Sequence, residues 1–337
     1  MPSNSTTTIA QIALCTSDFY RAIVFYEQVL GLDNCFGTVA FRGPMAEAIQ
    51  QLPNPASKVR WFTDDSALFQ LEIFEFEHPQ PKPLSLNHSI RCEGYNHLII
   101  ATISLERIQQ EMVMLGFLQP FEIIEVKVEG KGDHARHGIT TDPDGNKLQF
   151  VEQPDLINGE RHAQLIGLGL TSAQFKSCVN DFTKYFPFKE CDDLFDSRQL
   201  WSREGQLKNS KTLSLNNKYL VINEFDDSIP RSENYRLCDE GIMNFSVGYA
   251  DFESFEQAVN ETANAGMSHS IPASQGLVSI GGTYCTSNTG LSVEMLFCLP
   301  EAYGLWGFGA PTEQDRINNY NNCITALNRY KPSIDEN

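Results

Sequence analysis

A strand, an amphipathic helix and further strands follow one another four times along this chain, and this repeat constrains the fold more than any other feature. Each copy opens with a largely apolar strand, at residues 9–15, 97–101, 165–170 and 241–247. Each opening strand precedes apolar residues at helical spacing: Phe19, Ile23, Tyr26 and Leu30; Leu105, Ile108, Met112 and Leu115; Phe175, Val179, Phe182 and Phe186; Phe252, Phe255, Val259 and Ala263. Each copy closes with a strand that a polar residue interrupts, at residues 71–75, 147–152, 219–224 and 292–296. The repeat predicts four βαβββ modules of an α+β fold.

The clearest turn signal, Asp-Pro-Asp-Gly-Asn at residues 142–146, introduces the closing strand of the second copy. Proline restricts φ and glycine tolerates positive φ, so this segment is expected to form a tight turn. In the strand that follows, Lys147, Gln149 and Val151 share one face because side chains alternate along a strand. Gln149 is therefore either exposed to solvent or directed into a pocket.

Charge and length restrict the class of protein. The 337 residues suffice for two domains, and the formal charge of −18 disfavours binding to nucleic acids and to anionic membranes. Residues 1–8 lack a basic segment followed by an apolar one, and no apolar run is long enough to span a bilayer. The nine cysteines contain no C-x-x-C pair, which is typical of free thiols in a reducing compartment. These features predict a soluble, cytoplasmic protein.

Paired βαβββ units resemble the vicinal oxygen chelate superfamily, which includes glyoxalase I, extradiol dioxygenases, methylmalonyl-CoA epimerase and the fosfomycin and bleomycin resistance proteins. The most specific signatures are the strand at 9–14, Phe25-Tyr26, Leu30-Gly31-Leu32 and the turn at 142–146. The resemblance covers residues 9 to about 300. It implies that modules pair into glyoxalase-like domains whose curled mixed sheets form an open cavity. Cavities in this superfamily form within one chain or between chains, so a monomer and a homodimer are both compatible with it.

Sequential pairing of the modules would give one glyoxalase-like domain at 9–154 with the candidate metal site and a degenerate one at 162–300. A polar C-terminal tail at 301–337 would follow. In that tail Ile317, Tyr320 and Ile324 have helical spacing and predict a short docked helix.

Metal-binding members of the superfamily take their ligands from the first and last strands of both modules in a pair. Carried over to this chain, the resemblance implies Gln11, Glu72, His97 and Gln149 as ligands of a divalent ion, which would be Zn, Ni, Fe, Mn or Co. Strand alternation agrees, because the neighbours of all four are apolar and point to the opposite face, where a helix would pack. The alternative interpretation is that the four polar side chains face solvent.

Glyoxalase I holds its metal with Gln, Glu, His and Glu, and the last Glu moves a proton beside the substrate carbonyl. Gln149 stands at that last position here, and an amide cannot act as a general base. The resemblance therefore leaves Glu72 as the candidate catalytic residue. His134 and His137, expected in a loop near the cavity mouth after Gly130–Asp133, are further candidates for the base.

Four residues are expected to contact a small-molecule substrate: Arg60, Phe62, Phe74 and His137. Arg60 and Phe62 share a strand face, which would place a guanidinium within reach of a carboxylate or phosphate. The second pair of modules offers Gly167, Asn244 and Glu294, a set too poor in ligands for a metal. That half of the chain is expected to support the first half or to form an interface.

The predicted function is that of a glyoxalase-like metalloprotein, an isomerase or lyase that polarises vicinal oxygens of a small molecule through a divalent metal. A non-catalytic small-molecule binding protein of the resistance type is a second hypothesis. The third is an extradiol dioxygenase, which requires two histidines and one carboxylate.

Overall fold

The structure is a computed structural model that describes residues 7–64, 66, 68–84, 88–127, 134–192, 194–195, 197–273 and 279–330. The expected loop at 130–133 lies outside the described residues. Strands β1 to β8 are Thr8–Cys15, Asp33–Arg42, Ala56–Thr63, Gln70–His78, Gly94–Thr102, Glu122–Lys127, His134–Thr141 and Lys147–Glu152. Strands β9 to β16 are Ala163–Thr171, Lys189–Cys191, Leu207–Leu215, Lys218–Phe225, Gly241–Tyr249, Ser268–His269, Ile280–Thr286 and Ser292–Cys298.

Helices follow the first strand of every module. Helices α1 to α8 are Phe19–Val24, Pro44–Gln50, Leu105–Met114, Phe175–Lys184, Ser197–Trp201, Phe252–Asn264, Tyr303–Trp306 and Glu313–Arg329. A π-helical turn, Phe25–Val29, continues α1, and 3₁₀ turns occupy Pro154–Leu156 and Pro300–Ala302. The α+β class and the four βαβββ modules are confirmed. Among the helices in the described ranges, none is long and apolar enough to cross a membrane.

The modules pair differently from the sequential order. One eight-stranded sheet has the order β14-β15-β16-β13-β1-β4-β3-β2, and the other has the order β10-β11-β12-β9-β5-β8-β7-β6. The first module therefore pairs with the fourth through β1 and β13, and the second pairs with the third through β5 and β9. Domains at 9–154 and 162–300 do not correspond to this pairing. Both sheets are mixed and open, as the resemblance implied.

Two compact units result from this pairing. The first contains the described residues of Met1–Phe19, Asp33–Pro83 and Asn234–Asn337, and the second contains those of Tyr20–Leu32 and Leu84–Glu233. In the first unit, the segment after β4 bonds to the segment before β13. Lys82 N donates to Asp239 Oδ1 at 2.9 Å, and Glu240 N donates to Lys82 O at 3.0 Å. The first strand of every module needs a hydrogen-bonded neighbour along one backbone edge. The sequence pattern does not specify which other first strand is that neighbour.

The helix of the first module lies in the second unit. Phe25 packs edge-to-face on Phe117 at a ring distance of 5.1 Å. The hydroxyl of Tyr26 donates to Asp142 Oδ2 at 2.7 Å. Asp142 also accepts from Asn146 Nδ2, so the predicted turn at 142–146 is held by its own first residue. Two sequence signatures, Phe25-Tyr26 and the turn, thus meet in one contact.

The predicted helix of the tail is confirmed as α8, which begins at a capping box formed by Thr312 and Asp315. The predicted docking face is wrong. The three apolar residues Ile317, Tyr320 and Ile324 are exposed, whereas Cys323 is buried with its Sγ 3.1 Å from Thr38 Oγ1 on β2. The helix thus buries an adjacent face, which contains Cys323, against the edge strand β2. This face is polar, so a search for apolar residues at helical spacing does not detect it.

Candidate functional site

Four adjacent strands of the first sheet, β16, β13, β1 and β4, carry polar residues on one face. Gln11 of β1 lies opposite Ser246 of β13 in the antiparallel pair. Gln70 of β4 is the parallel neighbour of Gln11, and Glu294 of β16 is the parallel neighbour of Ser246. One row across the sheet therefore contains four polar residues side by side.

A second row lies two residues further along β1. Ala13 is opposite Asn244 of β13 and beside Glu72 of β4. Residues two apart on a strand share a face, so both rows are on the same side of the sheet. Strands β1 and β13 are antiparallel, so the two halves of this four-stranded part of the sheet correspond to each other. Glu72 on the outer strand β4 corresponds to Glu294 on the outer strand β16. Gln11 on the inner strand β1 corresponds to Asn244 on the inner strand β13.

Glu72 is a buried carboxyl with 7% of its surface exposed. The indole Nε1–H of Trp61, its partner on β3, donates to Glu72 Oε1 at 2.8 Å. Burial raises the pKa of Glu72 to about 7, and the hydrogen bond from Trp61 opposes that rise because it favours the ionised form. The carboxyl group can therefore gain or lose a proton near neutral pH.

Glu294 is half-buried and shares the surroundings of Glu72. Burial raises its pKa well above the usual range, and the nearby carboxylate of Glu72 raises it further. Tyr284, the cross-strand partner of Glu294, has a raised pKa because of burial and then because of Glu294 and Glu72. A Cβ at Gly282 would lie 3.2 Å from Glu294 Oε1, so this glycine leaves room for the carboxylate. Two carboxyls and a phenol therefore occupy one pocket.

Several buried polar atoms in this pocket lack a hydrogen-bond partner among the described residues. They include Gln11 Oε1 and Ser246 Oγ, on residues that are 7% and 0% exposed. Buried polar groups are normally satisfied, so such atoms indicate a site for a ligand or an ion. Gln11, Glu72, Asn244 and Glu294 offer oxygen donors around two like charges, and this set fits a divalent cation. In the described ranges no three His, Cys, Asp or Glu side chains are grouped so that they could hold a metal, and the set here consists of two carboxylates and two amides.

The second unit has a packed core where the first has this pocket. His97 lies opposite Gly169, and a Cβ at that glycine would be 1.7 Å from His97 Cε1. The imidazole also packs on Trp201 at a ring distance of 5.1 Å. Burial, followed by the positive charge of Lys147, lowers the pKa of His97 to about 3. His97 is therefore neutral, and aromatic and glycine neighbours surround it.

The positions of the second sheet that match Gln149 and His97 are occupied by Val221 and Gly167, neither of which has a ligating side chain. Buried apolar residues also pack on this face: Ile99, Ala101, Val151, Ile166, Phe195 and Val221. The side chain of Gln149 is fully buried beside Phe195, with its Nε2 3.5 Å from the Phe195 carbonyl oxygen. This unit therefore keeps three buried polar residues on this face, His97, His137 and Gln149, which offer two imidazoles and an amide but no carboxylate.

The predicted ligand set is thus divided between the units. Gln11 and Glu72 lie in the first unit, and His97 and Gln149 lie in the second, so no one sheet brings the four together. The second predicted set is divided as well, because Gly167 lies in the second unit whereas Asn244 and Glu294 lie in the same sheet as Gln11 and Glu72. The physical reason is the pairing of β1 with β13.

The predicted substrate-contacting residues of β3 and β4 do not all lie on the same face of the sheet. Trp61 is the neighbour of Glu72, whereas Arg60 pairs with Ile73 and Phe62 with Leu71. Arg60 and Phe62 therefore share a face, as predicted, but it is the face opposite Glu72. Phe74 does lie on the Glu72 face, where it packs in a cluster that includes Trp61.

His137 is not in a loop but in β7 of the second unit, where it is fully buried and its Nδ1 is 3.5 Å from Gln149 Nε2. His134 is the first residue of the same strand and is exposed. Trp61, Tyr284 and Gln70 are members of the pocket that sequence reasoning missed. The repeat does contain a signal for Glu294, which occupies in the fourth closing strand the place of Glu72 in the first.

The sequence model of the Glyoxalase/Bleomycin resistance protein/Dioxygenase superfamily matches residues 8–150. No curated protein matches the chain significantly. Among solved structures, the chain is similar to a putative dioxygenase from Bacillus subtilis at 12% identity and a TM-score of 0.61, over 97% of this chain and 98% of that chain. It is also similar to a mutant of glyoxalase I from Zea mays at 13% identity and a TM-score of 0.58, over 87% of this chain and 95% of that chain.

Identities this low show a shared fold and leave the activity to the residues of the site. The family match, the four βαβββ modules and the two mixed sheets agree with one another. Residues 8–150 belong to the glyoxalase, bleomycin resistance protein and dioxygenase superfamily, and most of the chain shares its fold.

Proposed function

We propose that this protein is a glyoxalase-like, metal-dependent isomerase or lyase whose site consists of Gln11, Glu72, Asn244 and Glu294. One observation carries the proposal: the buried carboxyl of Glu72 and the half-buried carboxyl of Glu294 lie near each other on one face of the sheet, and burial raises the pKa of each. Two like charges in such a pocket require a compensating positive charge, which is either a proton or a cation. The unsatisfied carbonyl oxygen of Gln11 supports the cation, because one ion can be coordinated by that oxygen and by both carboxylates.

A bound divalent ion would supply Lewis-acid polarisation of neighbouring oxygens on the substrate. The residues of the chain would move the proton. Glu294 is the candidate base because it lacks the hydrogen bond that Trp61 gives to Glu72, and because its pKa is raised by burial. Glu72 is thereby reassigned from catalysis to binding. Tyr284 beside Glu294 is a donor available to a substrate oxygen.

The chemical types of the ligand atoms also rank the candidate ions. Imidazole suits Zn, Ni and Fe, whereas carboxylate and carbonyl oxygens suit Mn and other hard ions. The four residues of this site offer oxygen and no imidazole. Among Zn, Ni, Fe, Mn and Co, we therefore propose Mn.

A cavity of about 420 Å³ opens in the first unit, with Cys35, Leu68, Phe308 and Arg316 among its lining residues. Cys35 also belongs to the apolar cluster that contains Trp61, and none of the four site residues lines the cavity. The site draws all four residues from one chain, and the proposal therefore requires no second subunit.

Metal analysis tests the proposal. Purified protein reconstituted with Mn²⁺ is expected to hold about one ion per chain, and Glu294→Gln and Glu72→Gln are each expected to weaken binding at least tenfold. His97→Leu is the matched control in the second unit and is expected to leave binding unchanged. Absence of a bound divalent ion, or loss of the ion in His97→Leu alone, would contradict the proposal.

A non-catalytic binding protein is the second candidate, and Asn244 favours it because an amide at that position binds metal more weakly than an imidazole. Binding of a ligand by metal-free protein, with no turnover after reconstitution, would support this alternative.

An extradiol dioxygenase is not proposed, because the four residues include no histidine. All nine cysteines are free thiols, which supports the proposal of a reducing, cytoplasmic compartment.

A further inference from the structure

Gln70 connects the candidate ligand Gln11 to the C-terminal segment. It lies two residues before Glu72 on the same face of β4 and is fully buried. Its Nε2 donates to the carbonyl oxygen of Trp306 at 2.8 Å. Its Oε1 accepts from Gln11 Nε2 at 3.3 Å. A buried chain of two hydrogen bonds therefore runs from main chain to ligand.

The chemistry of this chain determines which way each amide faces. A main-chain carbonyl only accepts hydrogen bonds, so Gln70 must present its NH₂ group to Trp306. Its oxygen then faces Gln11, and only the NH₂ group of Gln11 can donate to it. The oxygen of Gln11 is thereby left free for the pocket, where it has no partner among the described residues.

The C-terminal segment is itself held in place beside the pocket. The ring of Trp306 packs on Trp61 at 6.5 Å. The next residue, Gly307, has φ of 78°, and a Cβ there would lie 2.5 Å from Trp61 Cβ. A glycine is thus required at position 307 for both conformation and space. The carbonyl of Trp306 is consequently fixed relative to Gln70.

We propose that Gln70 is a positioning residue that, anchored by the Trp306 carbonyl, turns the oxygen of Gln11 toward the ion. This inference rests on the proposed metal site. It makes the C-terminal segment around Trp306 part of the metal-binding apparatus, although no side chain of that segment is a ligand. Residues that orient a ligand typically change metal affinity 10- to 100-fold when they are replaced.

Three variants separate the two bonds of Gln70. Gln70→Leu removes both bonds and is expected to weaken Mn²⁺ binding about tenfold or more. In Gln70→Glu the carboxylate still accepts from Gln11 but cannot donate to Trp306, so Mn²⁺ is expected to bind severalfold more weakly than to the wild type and more tightly than to Gln70→Leu. Gly307→Ala leaves both glutamines intact and displaces the carbonyl, and is expected to weaken binding severalfold.

Mn²⁺ titration, followed by electron paramagnetic resonance of the free ion, measures these affinities without any assay of activity. Acrylamide quenching of tryptophan emission reports the C-terminal segment and is expected to rise in Gln70→Glu and Gly307→Ala. Gln164→Leu, which replaces a buried glutamine in the second unit, is the control for general loss of packing.

If wild-type protein binds Mn²⁺ and both Gln70→Leu and Gly307→Ala bind it equally well, the inference is wrong and the metal site stands. If wild-type protein binds no Mn²⁺, the proposed function fails and takes this inference with it. Weaker binding in Gln70→Glu than in Gln70→Leu would also overturn the inference, because the bond to Gln11 survives only in the former.

Discussion

Trp61 donates its indole N–H to Glu72 Oε1 at 2.8 Å across β3 and β4. This bond satisfies one lone pair of a buried carboxyl and favours its ionised form. It also fixes which oxygen of Glu72 remains for other partners. The pair therefore determines both the charge and the orientation of the residue at the centre of the candidate site.

Replacing Trp61 by phenylalanine is expected to raise the pKa of Glu72 further, because the variant keeps the ring and removes the donor. Hydrogen bonds to charged groups contribute about 1.5–3 kcal/mol, which corresponds to a rise of roughly one unit or more. NMR titration of the Glu72 carboxyl carbon in metal-free protein measures the change. Trp306→Phe is the control, because Trp306 contacts Trp61 but its indole is not the donor to Glu72. Equal titration of all three proteins would contradict the assigned role of Trp61.

The stability of metal-free protein is expected to decrease as pH rises. The pKa of Glu72 is raised to about 7 in the folded state from 4.5, so the folded state binds the proton more tightly than the unfolded state does. The stabilisation is complete below pH 4.5 and is lost as pH rises through 7, by about 3 kcal/mol.

Urea unfolding of Glu72→Gln with chelator present checks this pH dependence. The variant retains an acceptor for Trp61 and is expected to lose part of the decrease between pH 5 and 8, because the raised pKa of Glu294 contributes a decrease of the same sign. Glu77→Gln, at the exposed end of the same strand, is expected to behave as the wild type. A wild-type free energy of unfolding that rises over this range would show that Glu72 is ionised in the folded state.

Acid is expected to destabilise the second unit through His97. Its pKa is lowered to about 3 when folded, from 6.5, so the unfolded state takes up the proton first. The stabilisation from the neutral imidazole is present above pH 6.5 and is lost as pH falls through 3, on the order of 4 kcal/mol. His97→Leu should therefore unfold at lower pH than the wild type in acid titrations followed by circular dichroism. His134→Leu, at an exposed histidine, should not.

Loss of the Tyr26 hydroxyl is expected to destabilise the protein by about 1.5–3 kcal/mol, because it leaves a buried carboxyl with one donor fewer. Tyr26→Phe tests this at constant ring size, and Tyr20→Phe, at an exposed ring, is the control. Chemical denaturation at pH 7 measures both. A change below about 0.5 kcal/mol in Tyr26→Phe would mean that the donors of Asp144 and Asn146 satisfy Asp142.

The residue pattern was sufficient to predict the four modules and the strand faces that helices do not cover. Gln11 and Glu72 were implied by the family resemblance, and strand parity supported them, because a polar residue between apolar neighbours identifies the face that helices do not cover. Strand parity could also have identified Trp61, but Arg60 and Phe62 were selected instead, and they lie on the face opposite Glu72. Without the register of β3 against β4, either face of that strand was open to assignment.

By itself, the sequence determined four βαβββ modules, an α+β fold and the polar positions on the central strands, because these follow from local periodicity. Only the tertiary structure decided that the first module pairs with the fourth. That decision separates Gln11 and Glu72 from His97 and Gln149 and gives them Asn244 and Glu294 instead. The physical reason is that the opening strands of the modules present similar backbone edges, so their pairing depends on long-range contacts that no local pattern contains.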